Sequence, residues 1–283
     1  MKNFNETVND IKSIKIQGAT NIAKAGLRAA TFKTKSLDEL SQAIHTLKNA
    51  RPTEPLLQNS LNILYEKVKD AKKLKSAVSS ESKKIVKQIE EAHGKTVRNA
   101  SKLIKKNFVI FTHCHSSTVT GAILASKSKG IEVINTETRP RYQGRLTAKE
   151  LSGAGIPTTM IVDSAMADFL PNADIILVGT DAISEEFFVN KVGTFGLSLF
   201  AKMYNIPLYV LTNSMKFAEE IEIEYRNSKE IWSKAPKNLS IINPAFDVTP
   251  LELVKGIVSE HGVHTPKQFV KMAKKEYGYL FKF

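Results

Sequence analysis

The single cysteine of the chain lies between two histidines at the end of a short apolar run. Cys114 follows the stretch FVIF at 108–111 and is flanked by His113 and His115. A thiol in a polar environment can act as a base or a nucleophile once it is ionised. A lone cysteine can equally be an inert small apolar side chain. The strand-end position and the neighbouring histidines favour a functional thiol.

Charged and polar groups also follow other predicted strands. Asp181 comes directly after the run at 174–179, Lys216 follows the run at 207–212, and Asn190 and Lys191 precede a predicted helix. Three arginines after the run at 131–137 add donors suited to phosphate or carboxylate oxygens: Arg139, Arg141 and Arg145. Read singly, Asp181 could cap a helix and Lys216 could be a solvated charge. Together they predict an anion-binding active site at one sheet edge.

Short β-rich runs alternate with helical stretches from about residue 107 onwards. This alternation of strands and helices predicts an α/β fold with a parallel sheet covered by helices on both faces. The predicted strands are 108–111, 131–137, 158–162, 174–179, 207–212 and 239–242. The predicted helices are 148–153, 164–170, 194–204 and 250–260.

The first hundred residues have helical periodicity instead. Ser36 is placed to cap a helix, and the prolines in RPTEP at 51–55 must interrupt one. A lysine-rich stretch at 69–106 predicts one long exposed helix. We therefore expect a helical domain at 1–106 and an α/β domain at 107–283.

The composition favours anionic partners without requiring them. Lys and Arg outnumber Asp and Glu by 41 to 28, which gives a net charge of +13, although a lysine-rich surface can simply be solvated. The long basic helix has almost no aromatic residues, which argues against a nucleic-acid site. No apolar stretch is long enough to span a membrane, and the single cysteine suits a reducing compartment. We expect a cytoplasmic protein.

Several longer motifs carry a family resemblance that covers nearly the whole chain. The segments THCHSS, TETRPRYQGRLTAKEL, VGTDAI, VNKVGT and NPAFDVTP resemble the superfamily of initiation factor 2B alpha, beta and delta subunits and their sugar-phosphate isomerase relatives. The resemblance is strongest to archaeal ribose-1,5-bisphosphate isomerases and archaeal initiation-factor-2B-like proteins. It implies a helical N-terminal domain on a Rossmann-like domain, in a homodimer or homohexamer.

The resemblance also implies a reaction and a set of site residues. The isomerases of this superfamily convert an aldose phosphate to a ketose phosphate, without metal or organic cofactor, and AMP is implied as an activator. By motif matching, Cys114 and Asp181 would be catalytic. The residues that would bind the substrate are Gln17, Gly18, Ala19, Arg51, Gln143, Asn190, Lys191 and Lys216.

Two departures from the family pattern keep a second hypothesis open. Gln17 stands where the enzymes have an arginine, and the segment 184–188 replaces an Asn-Gly pair with a sequence containing Glu185 and Glu186. These glutamates would repel a bisphosphate if they faced the site. The first hypothesis is a ribose-1,5-bisphosphate isomerase in nucleotide salvage. The second is a non-enzymatic regulator that contacts initiation factor 2.

Overall fold

The computed structural model describes residues 3–281, beginning with a series of helices. The helices are α1 Phe4–Lys12, α2 Ala19–Ala30, α3 Leu37–Ala50, α4 Pro55–Val68, α5 Leu74–Leu103, α6 Ser117–Leu124, α7 Gln143–Gly153, α8 Met166–Phe169, α9 Thr194–Met203 and α10 Pro266–Tyr277. Ser36 caps α3 by accepting a hydrogen bond from the amide of Glu39 at 3.1 Å. Pro55 is the first residue of α4, where its missing N–H has no cost.

The strands form two sheets. Their bounds are β1 Val109–Thr112, β2 Glu132–Thr136, β3 Thr158–Ile161, β4 Ile175–Gly179, β5 Ala182–Ile183, β6 Phe187–Lys191, β7 Leu208–Leu211, β8 Phe246–Pro250, β9 Gly256–Ser259 and β10 Gly262–His264. The large sheet has the order β10-β9-β7-β4-β1-β2-β3, and every neighbouring pair is parallel except β10 with β9. The small sheet, β5-β6-β8, is antiparallel.

Three main apolar cores hold these elements together. One lies among α1 to the first half of α5 and also receives Met215 from the loop after β7. The other two cover the two faces of the large sheet. Helix α5 contributes Ile89 to the helical core and Ala100 to a sheet core, so it joins the two regions. The domain boundary at residue 106 stays a prediction.

The predicted α/β architecture is confirmed, with five of the predicted strands present as β1, β2, β3, β4 and β7. Helix α9 matches the prediction at 194–204, and α5 falls within the predicted long helix. The stretch 148–153 is the end of α7, which begins earlier, at Gln143. The stretch 164–170 holds only the four-residue α8 between short 3-10 turns.

Two predicted elements near the C-terminal end are wrong. Residues 239–242 form no strand, and Ile242 is 72% exposed, so its apolar side chain does not indicate burial. Residues 250–260 are not a helix but a short 3-10 turn followed by β9. The run GIVS is buried along its whole length, and such runs fit a central parallel strand as well as a buried helix.

Among residues 3–281, no helix has both the length and the apolar character needed to cross a bilayer.

Candidate active site

The strand order of the large sheet reverses next to β1. From β1 the chain moves outward to β2 and β3, then returns to β4 on the other side of β1 and continues outward to β7 and β9. Ligands of open α/β sheets bind at such a reversal, beyond the carboxyl ends of the strands. Cys114 follows β1 and Asp181 follows β4, so the reversal brings these two residues together.

A single cavity of about 700 Å³ lies over this point. It is bounded by the starts of α2, α6 and α7, the turn before α4, one side of α5, the end of β6, and the loops after β1, β4 and β7. All ten residues that the family resemblance assigns to the site line it: Gln17, Gly18, Ala19, Arg51, Cys114, Gln143, Asp181, Asn190, Lys191 and Lys216. Their roles stay predictions.

The backbone at Cys114 is held in an uncommon conformation. Its φ is +70°, a left-handed value that a cysteine adopts only under constraint from its surroundings. The Cys114 amide donates to the Thr138 hydroxyl at 3.0 Å, and its carbonyl accepts from the Thr147 hydroxyl at 2.9 Å. Asp163 in turn accepts a hydrogen bond from the Thr138 amide at 2.8 Å. These bonds fix the direction in which the thiol points.

The two flanking histidines have different positions. His113 is buried beneath the cavity, with Nε2 at 2.9 Å from the Val192 carbonyl and Nδ1 at 2.6 Å from the Thr136 hydroxyl. Since a carbonyl only accepts, Nε2 carries the proton, and burial lowers the pKa of this histidine. His115 lines the cavity, and its Nδ1 lies 3.1 Å from the Thr147 hydroxyl. His113 is therefore part of the support of the loop, whereas His115 faces the cavity.

Burial dominates the protonation of the central groups. It raises the pKa of the Cys114 thiol to about 11, although the nearby Lys191 charge opposes the shift. Burial also raises the pKa of Asp181, against the opposing charges of Lys216 and Lys191. The same desolvation lowers the pKa of both lysines. In the ligand-free site the thiol is neutral at physiological pH.

Asn190 and Lys191 end β6, a strand that sequence reasoning missed. Asp247 on the neighbouring β8 accepts hydrogen bonds from the amides of Gly193 at 2.7 Å and Phe195 at 3.0 Å. Asp247 thereby caps the start of α9 and fixes the turn after Lys191. The ammonium of Lys191, which is only 4% exposed, extends into the cavity.

Lys216 is held by a contact between the two regions of the chain. The fully buried Asn59 of α4 donates to the carbonyls of Met215 at 2.7 Å and Phe217 at 2.8 Å. These two hydrogen bonds to the backbone fix the turn that carries Lys216. The ammonium donates in turn to the carbonyl of Thr180, next to Asp181.

Four of the cavity residues that were not found from the sequence are Arg226, Glu54, Phe246 and His93. Arg51 lies 3.0 Å from Glu224, which also pairs with Arg226 at 2.9 Å. Arg226, Glu54 and Phe246 line the cavity, and the Lys191 ammonium lies 5.2 Å from the centre of the Phe246 ring. The fourth, His93, is on α5. Glu54 lies within the RPTEP segment and Phe246 within the NPAFDVTP motif, whereas Arg226 and His93 belong to none of the quoted motifs.

Five buried polar atoms of residues that line the cavity make no hydrogen bond within residues 3–281. They are Arg51 Nε, Arg51 Nη1, Glu54 Oε2, His93 Nε2 and Gln143 Oε1. Buried polar groups nearly always have partners, so a cluster of unpaired ones marks a place where a polar ligand binds.

Two helices begin at the cavity without a side-chain cap. Gly18 precedes α2 with a φ of +82°, which favours glycine, and Ser116 precedes α6. The first amides of a helix lack intrahelical partners and attract anions. Gln17 lines the cavity beside Gly18, and so do Lys15 and Lys24.

The expectation that the three arginines after β2 belong to the site is wrong. The three arginines after β2 do not line the cavity, because each has partners elsewhere: Arg139 at Tyr142, Arg141 at Glu230 and Arg145 at Glu137. Glu185 and Glu186 do not face the site either, and Glu185 pairs with Lys274 of α10. The altered 184–188 segment therefore places no negative charge in the cavity.

Comparisons with known proteins agree with this architecture. Residues 9–266 match the model of the Initiation factor 2 subunit family. The chain is 34% identical to a ribose 1,5-bisphosphate isomerase of Pyrococcus furiosus, covering 98% of this chain and 95% of that protein. It is 36% identical to a methylthioribose-1-phosphate isomerase of Caldanaerobacter subterraneus, over 90% and 86% of the two chains.

A solved structure extends the agreement to three dimensions. The translation initiation factor eIF-2B of Pyrococcus horikoshii superposes with a TM-score of 0.84 at 28% identity, over 94% of this chain and 98% of that one. The match to the family model spans most of both regions of the fold. This chain belongs to the Initiation factor 2 subunit family.

Proposed function

We propose that this protein is an aldose–ketose isomerase that converts ribose 1,5-bisphosphate to ribulose 1,5-bisphosphate. The observation that carries the proposal is the meeting of Cys114, Asp181, Lys191 and Lys216 in one cavity at the strand-order reversal. The relatives named ribose 1,5-bisphosphate isomerase, at 30–34% identity over nearly the full chain, support the choice of substrate.

The proposed chemistry moves two protons. Cys114, as a thiolate, takes the proton from C2 of the sugar, the new electron pair forms a C1–C2 double bond, and the bond from C1 to the ring oxygen breaks. Asp181, as a carboxylic acid, protonates the departing ring oxygen. The thiol then returns its proton to C1, while the Asp181 carboxylate takes the proton of the C2 hydroxyl and leaves a C2 carbonyl. Both residues end in their starting states.

The reactive forms of Cys114 and Asp181 arise from their resting forms by one proton transfer between the two side chains. A neutral thiol and a carboxylate carry one proton between them, as do a thiolate and a carboxylic acid. Passing this proton from Cys114 to Asp181 therefore creates the base and the acid without exchange with solvent. The nearby ammonium of Lys191 favours the thiolate.

The phosphate groups have two kinds of partner. Lys191 and Lys216 supply charge beside the reacting carbons, and the uncapped starts of α2 and α6 supply amides. Arg51 offers two unpaired buried donors. Lys15 and Lys24, near Gln17, are the cations available to offset the missing arginine, although Lys24 also pairs with Glu90.

The direct test is turnover by the purified protein. We expect ribose 1,5-bisphosphate to be converted to ribulose 1,5-bisphosphate, and ion-exchange chromatography would measure the product. We expect AMP to raise the rate. Absence of conversion in folded protein, with and without AMP, would contradict the proposal.

A second candidate function is regulation of translation through initiation factor 2. Gln17, in place of a phosphate-binding arginine, favours it, and so does the close superposition on a protein named as a translation initiation factor. A pull-down with purified initiation factor 2 tests it. Saturable binding by a protein that does not isomerise sugar phosphates would favour this reading.

We also propose that the protein is a homodimer that forms through α9. Phe195, Leu199 and Met203 lie four residues apart on this helix and are 40%, 45% and 60% exposed. A helix buried in a monomer would not present such an apolar stripe to water. Light scattering should give twice the mass of one chain, and Leu199→Lys should shift the protein towards monomer.

A further inference from the structure

Glu54 is a buried acid on the wall of an anion-binding cavity. It lies immediately before α4 and is only 3% exposed, and it shares the cavity with Asp181 and Lys216. A carboxylate in this position would repel the phosphate groups of the proposed substrate. The charge state of Glu54 therefore decides whether the cavity wall can accept an anion.

The cations around Glu54 make no hydrogen bond to its carboxyl group. The nearest Arg51 nitrogen is 3.6 Å from Glu54 Oε1, too far for a hydrogen bond, whereas Arg51 lies 3.0 Å from Glu224. The Lys216 ammonium donates to the Thr180 carbonyl. Glu54 thus has Arg51 nearby, at 3.6 Å, but lacks the hydrogen-bonded counter-ion that a buried carboxylate requires.

One oxygen of the Glu54 carboxyl group is also unpaired. Oε2 is buried and makes no hydrogen bond to any residue in the range 3–281. The charged groups that act on Glu54 are Asp181, Arg51, Lys216 and Glu224. Burial first, and the Asp181 charge second, raise the pKa of Glu54 to about 8, against the opposing charges of Arg51 and Lys216. At neutral pH the neutral acid is the stable form.

We propose that Glu54 is protonated in the resting site and donates a hydrogen bond from its carboxyl group to an anionic oxygen of the sugar phosphate. The inference rests on the proposed function for its class of ligand. A neutral donor fits a cavity wall that binds anions, and the unpaired Arg51 nitrogens lie on the same wall to share the ligand. Glu54 is then a ligand-binding residue outside the catalytic pair.

This role makes binding depend on pH in a defined direction. Affinity is full while Glu54 keeps its proton and falls as the pH rises through its pKa of about 8. Above that pH the limiting fall is roughly tenfold for each pH unit, because binding then requires uptake of one proton.

Calorimetric titration with ribose 1,5-bisphosphate tests the proposal, in a Cys114→Ser background that prevents turnover. We expect Glu54→Gln, which keeps a neutral donor of the same shape, to bind within about threefold of the parent at pH 7 and to lose the fall between pH 8 and 9.5. Glu54→Ala should bind at least tenfold more weakly at pH 7. Glu91→Gln is the matched control, because Glu91 is half exposed on α5 outside the cavity.

A second measurement needs no change at Glu54. Titration of the parent protein in buffers with different ionisation enthalpies should detect uptake of about one proton per ligand at pH 9 and almost none at pH 7. Parallel pH profiles for parent and Glu54→Gln, no proton uptake at pH 9, or no binding at all would overturn the proposal. Binding with these properties, but no turnover by the wild-type protein, would contradict only the isomerase function.

Discussion

The backbone amide of Cys114 donates a hydrogen bond to the side-chain hydroxyl of Thr138 at 3.0 Å. The bond joins the loops after β1 and β2, and it holds the thiol-bearing residue at a φ of +70°. The two loops come together because β1 and β2 are neighbours in the sheet. The direction of the thiol therefore depends on a residue that does not itself line the cavity.

Removing this hydroxyl should impair catalysis more than folding. In Thr138→Val the Cys114 amide loses its acceptor, at a cost of about 1–3 kcal/mol in the free energy of unfolding. We expect kcat to fall at least tenfold while KM changes little, because the phosphate contacts remain. Steady-state kinetics and urea unfolding measure the two effects. Thr46→Val, at an exposed position on α3, is the control, and an unchanged kcat in Thr138→Val would contradict this account.

Asp181 should be indispensable as the acid. Asp181→Asn keeps the shape of the side chain but cannot deliver a proton to the ring oxygen, so we expect kcat to fall at least a thousandfold. Thermal unfolding should not show a loss of stability, because the variant removes a buried ionisable group. Near-native turnover by this variant would refute the assignment.

The two buried lysines should act mainly on substrate binding. Lys191→Ala and Lys216→Ala each remove a cation that contacts phosphate both before and during the reaction, so KM should rise more than kcat falls. We expect KM to rise roughly tenfold to a hundredfold in each case. Lys87→Ala, at a position 78% exposed on α5, should leave both constants unchanged. A variant of either buried lysine with normal KM would exclude a phosphate-binding role for that residue.

The pH dependence of kcat tests how Cys114 and Asp181 share one proton. Because the thiol and the carboxyl group carry one proton between them, the active fraction is constant between their two pKa values. The pKa of Cys114 is about 11 and that of Asp181 is raised by burial. We expect kcat to be level between the two pKa values, to fall on the acid side when both groups are protonated, and to fall again above about pH 11 when both have lost their protons. A tenfold rise per pH unit would mean that solvent, and not Asp181, takes the thiol proton.

A glycine beside the cavity should be essential for folding. A Cβ added to Gly144, on α7 next to Gln143, would lie 1.8 Å from the carbonyl oxygen of Thr136. Thr136 is paired with Ile161 of β3, so the backbone of β2 cannot move that far without breaking this pairing, and Gly144→Ala should lose more than about 3 kcal/mol of stability. Gly153→Ala is the control because a Cβ there meets no atom within 4 Å. Equal stability of the two variants would show that the loop after β2 can move to accommodate the added methyl group.

The sequence predicts the site best where chemistry follows a buried strand. Cys114, Asp181 and Lys216 each come directly after a strong apolar run, and the edge of a parallel sheet brings such positions together. Asn190 and Lys191 were found because they precede a predicted helix, whereas the strand that carries them, β6, was missed because it belongs to a small antiparallel sheet with short strands.

The remaining site residues depend on contacts that no local pattern records. The Arg51–Glu224–Arg226 chain joins positions more than 170 residues apart. Conversely, the arginines after β2 have the right chemistry for a phosphate site, but their local partners turn them away from the cavity. Glu54 was visible as part of a helix break, whereas its environment emerges only when α4 packs against the sheet edge.

The most direct test of the proposed chemistry is turnover of ribose 1,5-bisphosphate deuterated at C2, compared with unlabelled substrate, in wild-type and Cys114→Ser protein. We expect a primary isotope effect of about twofold or more on the wild-type rate, since the C2 proton is transferred to sulfur. We also expect a loss of at least a thousandfold in Cys114→Ser with folding intact. Near-native turnover by Cys114→Ser would contradict the central claim that the thiol takes the proton from carbon.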